Sequence, residues 1–343
     1  MALNGPVGVA VIGCGRIGRR RAAEATADPR STVRVVVDPV ADAAAGAAGA
    51  SGAEIEGDWR RAIERPDVDV VCVATPNAFL CDVSIAALEA GKAVLVEKPM
   101  GRGLSEAVEM ATAARRTGRV LRIGFNHRYH PAIAEARRLF ANGEVGRLVN
   151  LRCRYGHGGR PGQELEWRGS RHLAGGGHLT DQGVHLIDLI HWFAGRPHTV
   201  YAVLQRGVWP LDGLEDNAFG ILQCPDGVVA ALHTGLTQWK NLFSFEVFGT
   251  TGALVVEGLG GSYGQETLTV YHRRSEGGAP REIRQAYTGD DVSWRLEWQA
   301  MLAELEADSP GSDSAGDGVV VMQVLDSLYR SAEAGRPLAV PAP

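Results

Sequence analysis

Three groups of residues in this 343-residue chain have types and spacings that could do chemistry together. The first is Gly13-Cys14-Gly15-Arg16-Ile17-Gly18, with Asp38 further along at the end of an apolar run. In a GxGxxG turn between a strand and a helix, Gly13 allows the tight bend and Gly15 lets backbone N–H groups approach a pyrophosphate. Gly18 lets helix and strand pack closely. The first helical turn, carrying Arg16 and Ile17, offers free N–H donors and the positive end of the helix dipole to the diphosphate. A carboxylate at Asp38 can accept both ribose hydroxyls of NAD and would repel the 2′-phosphate of NADP. Pro39 and Val40 follow it, so no adjacent Arg rescues that phosphate. NAD is favoured over NADP, although Arg16 and Arg34 could still approach the adenosine end.

The second group pairs Lys98 with Asp181 and His185. Oxidising a secondary alcohol removes a hydroxyl proton while hydride leaves the carbon, so a base must lie within about 2.6–3.2 Å of that hydroxyl. Imidazole titrates near neutrality, which makes His185 the best base. Asp181 precedes it by four residues and would share its face on a helix, where it can orient the ring, stabilise imidazolium or bind a hydroxyl. The Lys98 ammonium can hydrogen-bond the reacting oxygen and stabilise developing alkoxide. Taken singly, His185 could be a satisfied helix histidine, Lys98 a solvated lysine and Asp181 a helix cap. His178, Asp181 and His185 also have a spacing that could ligate zinc or iron, but no metal is expected where lysine already supplies the positive charge. The third group faces substrate: His127 after a strand end, then Tyr155, His157, Trp167 and Arg168 around a Gly-rich segment, able to bind hydroxyls and cover a sugar ring.

These residues need a frame. Val7 to Ile12, Val33 to Val37, Val68 to Ala74, Ala93 to Val96 and Val120 to Phe125 are short apolar strands separated by helices near 19–27, 41–50, 83–90 and 105–117. That alternation implies βαβ units and a parallel sheet. Right-handed crossovers place all strand C-terminal ends on one edge, where ligands bind. The edge would carry Gly13, Asp38, Thr75-Pro76-Asn77, Glu97-Lys98 and Asn126. Beyond Asn126 a helix (132–141) leads into strands near 148–155, 199–205, 218–223, 228–234, 242–248 and 254–257, which predicts a second, α+β domain with a mostly antiparallel sheet. Trp294, Trp298, Met301, Leu302 and Leu305 recur at helical spacing and read as core. A flexible loop at Ser309–Ser314 and a last helix from Val319 to Ala334 complete the chain.

Composition narrows the function. Lys+Arg 35 against Asp+Glu 40 gives a net charge of −5, which argues against a nucleic-acid partner. Five scattered cysteines without a CxxC indicate neither zinc ribbon nor disulfide framework, and fit a reducing cytoplasm. No apolar run approaches the ~20 residues of a membrane span, and the N-terminus lacks a secretory signal pattern, so no membrane partner is expected.

Ala74-Thr75-Pro76-Asn77, Glu97-Lys98-Pro99 and Gly175-Gly176-Gly177-His178-Leu179-Thr180-Asp181-Gln182-Gly183-Val184-His185-Leu186-Ile187-Asp188, together with the glycine turn, give the chain a further character. It resembles the Gfo/Idh/MocA oxidoreductases (glucose-fructose oxidoreductase, inositol dehydrogenase and relatives) over nearly its whole length. Leu80 departs from the pattern, since relatives often carry His there. The resemblance implies a doubly wound Rossmann domain over 1–125, a substrate and oligomerisation domain over 126–318 with a large open sheet, and a C-terminal helix and tail over 319–343 that could pack back on the first domain. It assigns Lys98, Asp181 and His185 to the catalytic triad, and many relatives have a cis bond at the position of Lys98-Pro99. It implies no metal, and a homodimer or homotetramer formed through the C-terminal sheet. The expected activity is reversible, NAD-dependent oxidation of a secondary hydroxyl on a sugar, cyclitol or sugar-containing metabolite. Some relatives serve aminosugar or aminoglycoside biosynthesis, so the resemblance places such a precursor among the candidate substrates, a setting that the Ala/Gly/Arg-rich composition of a high-GC bacterial coding sequence fits. Two alternatives stand beside it: an NAD-dependent glycosidase of the same family, and a non-catalytic NAD-binding sensor.

Overall fold

The computed structural model of the chain describes residues 5–307 and 314–342. It divides into two compact units. The first runs to Phe125 and adds His172–Gly175 and Trp294–Met322; the second comprises Asn126–Arg171, Gly176–Ser293 and Gln323–Pro343.

The first unit alternates β1 (Val7–Ile12), α1 (Arg16–Ala27), β2 (Ser31–Val37), α2 (Ala41–Ser51), β3 (Glu54–Glu56), α3 (Trp59–Glu64), β4 (Val70–Val73), α4 (Leu80–Glu89), β5 (Ala93–Val96), α5 (Leu104–Thr117) and β6 (Leu121–Ile123). Its six strands are ordered β3-β2-β1-β4-β5-β6 and pair in parallel throughout. This is the doubly wound order in which the strand sequence reverses at β1 and β4. Strands β1, β4 and β5 are buried along their whole length, as Val- and Ile-rich runs must be when helices cover both faces. Strand β3 and helix α3 were not foreseen, being only 3 and 6 residues long and rich in charge.

The second unit contains α6 (Pro131–Ala141), β7 (Leu148–Gly156), α8 (Val184–Ala194) and β8 to β14, which span Thr199–Gln205, Asn217–Gln223, Val229–Gly235, Leu242–Gly249, Gly252–Glu257, Glu266–His272 and Arg281–Tyr287. A four-residue helix, α7 (Arg171–Ala174), precedes α8, and α9 (Ser293–Glu306), α10 (Ser314–Ala334) and β15 (Leu338–Ala339) end the chain. The nine-stranded sheet has the order β14-β13-β12-β11-β7-β10-β9-β8-β15. Only β7 and β10 pair in parallel; every other neighbour is antiparallel. Burial alternates along β7 and β9, so one face is packed and the other open. Strands β13 and β14 went unread: β13 is buried on both faces over its first five residues and β14 is exposed along nearly its whole length, so neither shows the alternation of a half-buried strand.

The segment that returns to the first unit begins at Trp294 rather than near 319, and the tail from Gln323 belongs to the second unit. The reason is the apolar stripe of α9. Trp298, Met301 and Leu302 are buried in one cluster with Val9, Val11, Val33, Val36 and Leu95, and Trp298 Nε1 donates to Ser31 Oγ at 3.0 Å. Residues 309–313 of the expected loop lie outside the described residues, and Ser314 begins α10. Among the described residues no helix is long and apolar enough to cross a membrane. All five cysteines are buried thiols, and burial pushes Cys72 up to about 12.

Candidate active site

In the first unit, ladder hydrogen bonds continue one residue past the strand ends. Gly13 N donates to Val37 O, Ala74 N to Ile12 O, and Glu97 N to Val73 O, each within 2.8–2.9 Å. Gly13, Asp38, Thr75 and Glu97 thereby line one edge of the sheet, with Pro76 and Asn77 following Thr75 into a short 3₁₀ turn. Gly13 has φ +91°, and a Cβ there would press on the backbone of Ala74 and Thr75 at 2.6–2.8 Å. A Cβ on Gly18 would run into the Gly13 carbonyl, whereas nothing lies within 4 Å of one on Gly15. The glycine turn is therefore tight beneath and open above. Arg16 and Ile17 form the first turn of α1. Asp38 Oδ2 accepts from Cys14 N–H at 2.6 Å and Oδ1 from Val40 N–H at 2.8 Å. The Asn77 side-chain amide donates to Ala174 O at 2.8 Å, so this residue stiffens the loop around it.

Lys98 is half-buried directly after β5, and the Lys98-Pro99 bond is cis. The preceding Glu97 meets the buried Arg21 of α1, whose Nε donates to Glu97 Oε1 at 2.7 Å. The same guanidinium holds Glu297 of α9 at 2.5 Å, with the Trp294 ring 4.6 Å from its carbon. Burial alone would weaken the Arg21 charge, but Glu297 and Glu97 together hold it above the ordinary guanidinium range. Burial also raises the Glu297 carboxyl, against the pull of Arg21. Glu97 belongs to the Glu97-Lys98-Pro99 motif, but its partners Arg21 and Glu297 carry none, and nothing in the spacing of positions 21 and 297 could have found them.

The second unit gathers most of the substrate-side candidates. The His185 and His127 rings stack at 3.7 Å between centroids and 9° between planes. Tyr155 stands edge-on to both, at 5.1 Å from His127 and 6.1 Å from His185, and Tyr263 packs on Tyr155 at 4.9 Å. Asp181 Oδ1 is 3.4 Å from Arg168 Nε, and the Arg168 guanidinium lies over the Trp167 ring at 4.2 Å. His157 stands apart from that group: its ring meets His178 edge-on at 5.2 Å, and its Nδ1 accepts from Gly159 N–H. Asn126 is buried with its amide donating to Ser293 Oγ at 3.0 Å. Asp188 is fully buried in an ion pair with Arg128 at 2.5 Å, a structural role.

Asp181 does not sit on a regular α-helix. Leu179–Gly183 form a π-helical turn that runs into α8, and the wider turn still brings positions 181 and 185 to neighbouring places on one face. The turn is anchored by Glu215, which lies just before β9 and is also buried. Glu215 accepts from Gly177 N–H, Leu179 N–H and Tyr329 O–H. Burial raises its carboxyl, and those three donors work against the shift. Sequence reasoning missed Glu215 and Tyr329; the only signal was the uninterrupted Gly175-Gly176-Gly177 run, which marks a place that neighbours approach closely.

The sequence profile of the oxidoreductase family with an NAD-binding Rossmann fold (GFO/IDH/MocA) matches residues 7–125, and that of the GFO/IDH/MocA C-terminal domain matches 133–255. The 1,5-anhydro-D-fructose reductase of Ensifer adhaerens is 32% identical over 274 residues, which cover 79% of this chain and 79% of that protein. The chain belongs to the GFO/IDH/MocA oxidoreductase family. Two solved members support the same placement. A levoglucosan dehydrogenase in complex with NADH superposes with a TM-score of 0.90 at 26% identity, covering 98% of this chain and 100% of that one. GenD2 from gentamicin A biosynthesis, in complex with NAD, superposes with a TM-score of 0.85 at 27% identity, covering 100% and 98%.

As a GFO/IDH/MocA oxidoreductase, the chain uses NAD, and its first unit suits that cofactor. Thr75 Oγ1 is buried without a hydrogen-bond partner among the described residues, and so has donor and acceptor capacity to offer. The open backbone at Gly15 and the free amides of the first turn of α1 suit a diphosphate. Gly13, Gly15, Arg16, Ile17, Gly18, Asp38 and Thr75 would hold the dinucleotide. Leu80 is fully buried in α4.

Proposed function

We propose that this GFO/IDH/MocA oxidoreductase oxidises a secondary hydroxyl of a sugar, cyclitol or sugar-containing metabolite to a ketone, reversibly, with NAD preferred over NADP. The observation that carries the reading is the stacked His185, preceded in the turn that leads into its helix by Asp181 with Arg168. A buried imidazole whose face is covered by His127 cannot tilt freely, so its ring edge stays aimed for proton transfer. Bound NAD would supply the hydride acceptor for the substrate carbon. His185 takes the hydroxyl proton as general base, and Asp181 orients the ring or holds a neighbouring hydroxyl. Lys98 donates a hydrogen bond to the reacting oxygen and stabilises its developing charge. Tyr155 and Trp167 offer aromatic surface to the apolar face of a sugar ring, and Arg168 binds hydroxyls beside them. The sugars named in the relatives support this substrate class, and GenD2 supports including aminoglycoside precursors among the candidates.

The test is a panel of cyclitols, hexoses, anhydrosugars, nucleotide sugars and aminoglycosides incubated with NAD or NADP, following NADH absorbance. Turnover with at least one polyol, lost in Lys98→Ala and His185→Ala while NAD binding persists, supports the reading. Intact turnover in both variants refutes the triad. Hydrolysis of a glycoside without net NADH would favour the glycosidase instead.

We also propose that the open sheet face packs against a second copy of the chain. Tyr201, Val203, Phe219 and Ile221 stand on it at 37–46% exposure, an apolar stripe across adjacent strands.

A further inference from the structure

We propose that Glu215, with Tyr329, is a positioning residue for the reaction. It acts through the π-helical turn that carries Asp181 and leads into His185, and so rests on the dehydrogenase reading above. Three consecutive backbone donors lead into that turn, and one residue just before β9 satisfies all of them. Gly177 N donates to Glu215 Oε2 at 3.2 Å, His178 N donates to the Glu215 carbonyl at 3.1 Å, and Leu179 N donates to Glu215 Oε1 at 3.0 Å. The start of a helix leaves such N–H groups without partners along the helix, and its own side chains usually supply the cap. Here the cap comes from 36–38 residues away in sequence.

Tyr329 of α10 completes the arrangement. Its hydroxyl donates to Glu215 Oε1 at 2.8 Å and meets Thr180 Oγ1 at 2.8 Å, so Thr180 O–H can donate to the phenol oxygen in turn. The Gly-Gly pair makes this closeness possible. A Cβ on Gly176 would collide with Thr180 Oγ1 and the Tyr329 hydroxyl, and one on Gly177 would collide with the Glu215 carbonyl and carboxyl. Asp181 N then donates to Gly177 O at 3.0 Å, which joins the capped residues directly to the residue beside the base. Positions 177, 178, 179 and 181 are thus tied to Glu215 by main-chain geometry, and a shift of the cap moves Asp181 and the start of α8 together. Glu215 touches neither substrate nor cofactor in this account.

Glu215→Gln keeps the size but replaces one accepting oxygen by a donor, and Tyr329→Phe removes only the hydroxyl link. In both variants hydrogen exchange of the amides at 177–179 accelerates, while the affinity for NADH, measured by fluorescence, stays unchanged. The kcat falls on the order of 100-fold for Glu215→Gln and about tenfold for Tyr329→Phe, because sub-ångström placement of a base governs rate steeply. In a His185→Asn background, assayed under single-turnover conditions, Glu215→Gln adds nothing further. Unchanged amide exchange overturns the proposal. So does an equal fold-loss in both backgrounds, the mark of a merely structural residue. If the wild-type protein reduces NAD with no polyol, the dehydrogenase reading falls, and the exchange measurement alone decides whether Glu215 anchors the turn.

Discussion

Replacing Asp38 by Ser changes cofactor choice by an amount that follows from its contacts. Each carboxylate oxygen of Asp38 already accepts one backbone N–H, from Cys14 and Val40, and each keeps a further lone pair for a ribose hydroxyl. Hydrogen bonds to a charged acceptor contribute about 1.5–3 kcal/mol each, and a half-exposed carboxylate belongs at the lower end of that range. Serine retains one of the two acceptor sites, so the variant loses about 1.4 kcal/mol, a tenfold weakening for NADH. Removing the negative charge also ends repulsion of a 2′-phosphate. At exposed separations near 4 Å that repulsion amounts to about 1 kcal/mol per unit charge in water. With close to two charges on the phosphate the gain for NADPH is about 2 kcal/mol, or 30-fold. The ratio of NADH to NADPH affinity therefore falls by about 300-fold. Fluorescence titration of both reduced nucleotides measures it without any knowledge of the substrate. A ratio that moves less than threefold, or two affinities that fall together, would show that Asp38 only supports the turn through Cys14 and Val40 and does not read the ribose.

Other perturbations probe the remaining parts of the account. Arg21→Met leaves Glu97 and Glu297 buried without their cation and costs about 3–5 kcal/mol in denaturant unfolding followed by tryptophan fluorescence; the triple change Arg21→Met, Glu97→Gln, Glu297→Gln recovers most of that loss. Because burial raises the Glu297 carboxyl in the folded state, its contribution is fully present below the unfolded pKa and declines as pH rises through the folded one. The stability of Glu297→Gln relative to the wild type accordingly improves as pH rises above the ordinary carboxylate range, and a relative stability that falls there contradicts the sign. Phe219→Glu together with Ile221→Glu on the open sheet face reduces the mass seen by light scattering to that of one chain, and a mass that is unchanged places any oligomer contact elsewhere.

The glycine turn, the Asp38 position and the parallel βαβ alternation were legible because each rests on local rules: apolar strands, helical spacing and turn residues a few positions apart. The match of Lys98, Asp181 and His185 to a motif was legible for the same reason. What escaped was long-range or locally weak. Strand β14 carries no buried face to produce alternation, and β3 is too short to show any. The amides that lead into the π-helical turn at Leu179–Gly183 are met by Glu215, 36–38 residues further along the chain, and no local spacing distinguishes that turn from an ordinary helix. The ion pairs around Arg21 join α1 to α9 across most of the chain, and no spacing rule connects such positions. Helix α9 itself was read correctly as core from its apolar stripe, but which sheet it would cover depended on tertiary packing.

The most direct measurement uses a polyol turned over by the protein and labelled with deuterium at the carbon to be oxidised. The account predicts that the label appears in the reduced cofactor, with a primary isotope effect on single-turnover oxidation and complete loss of transfer in Lys98→Ala. A ketone formed while the nucleotide stays unlabelled, or label transfer that survives the loss of Lys98 and His185, would contradict direct hydride transfer supported by these residues.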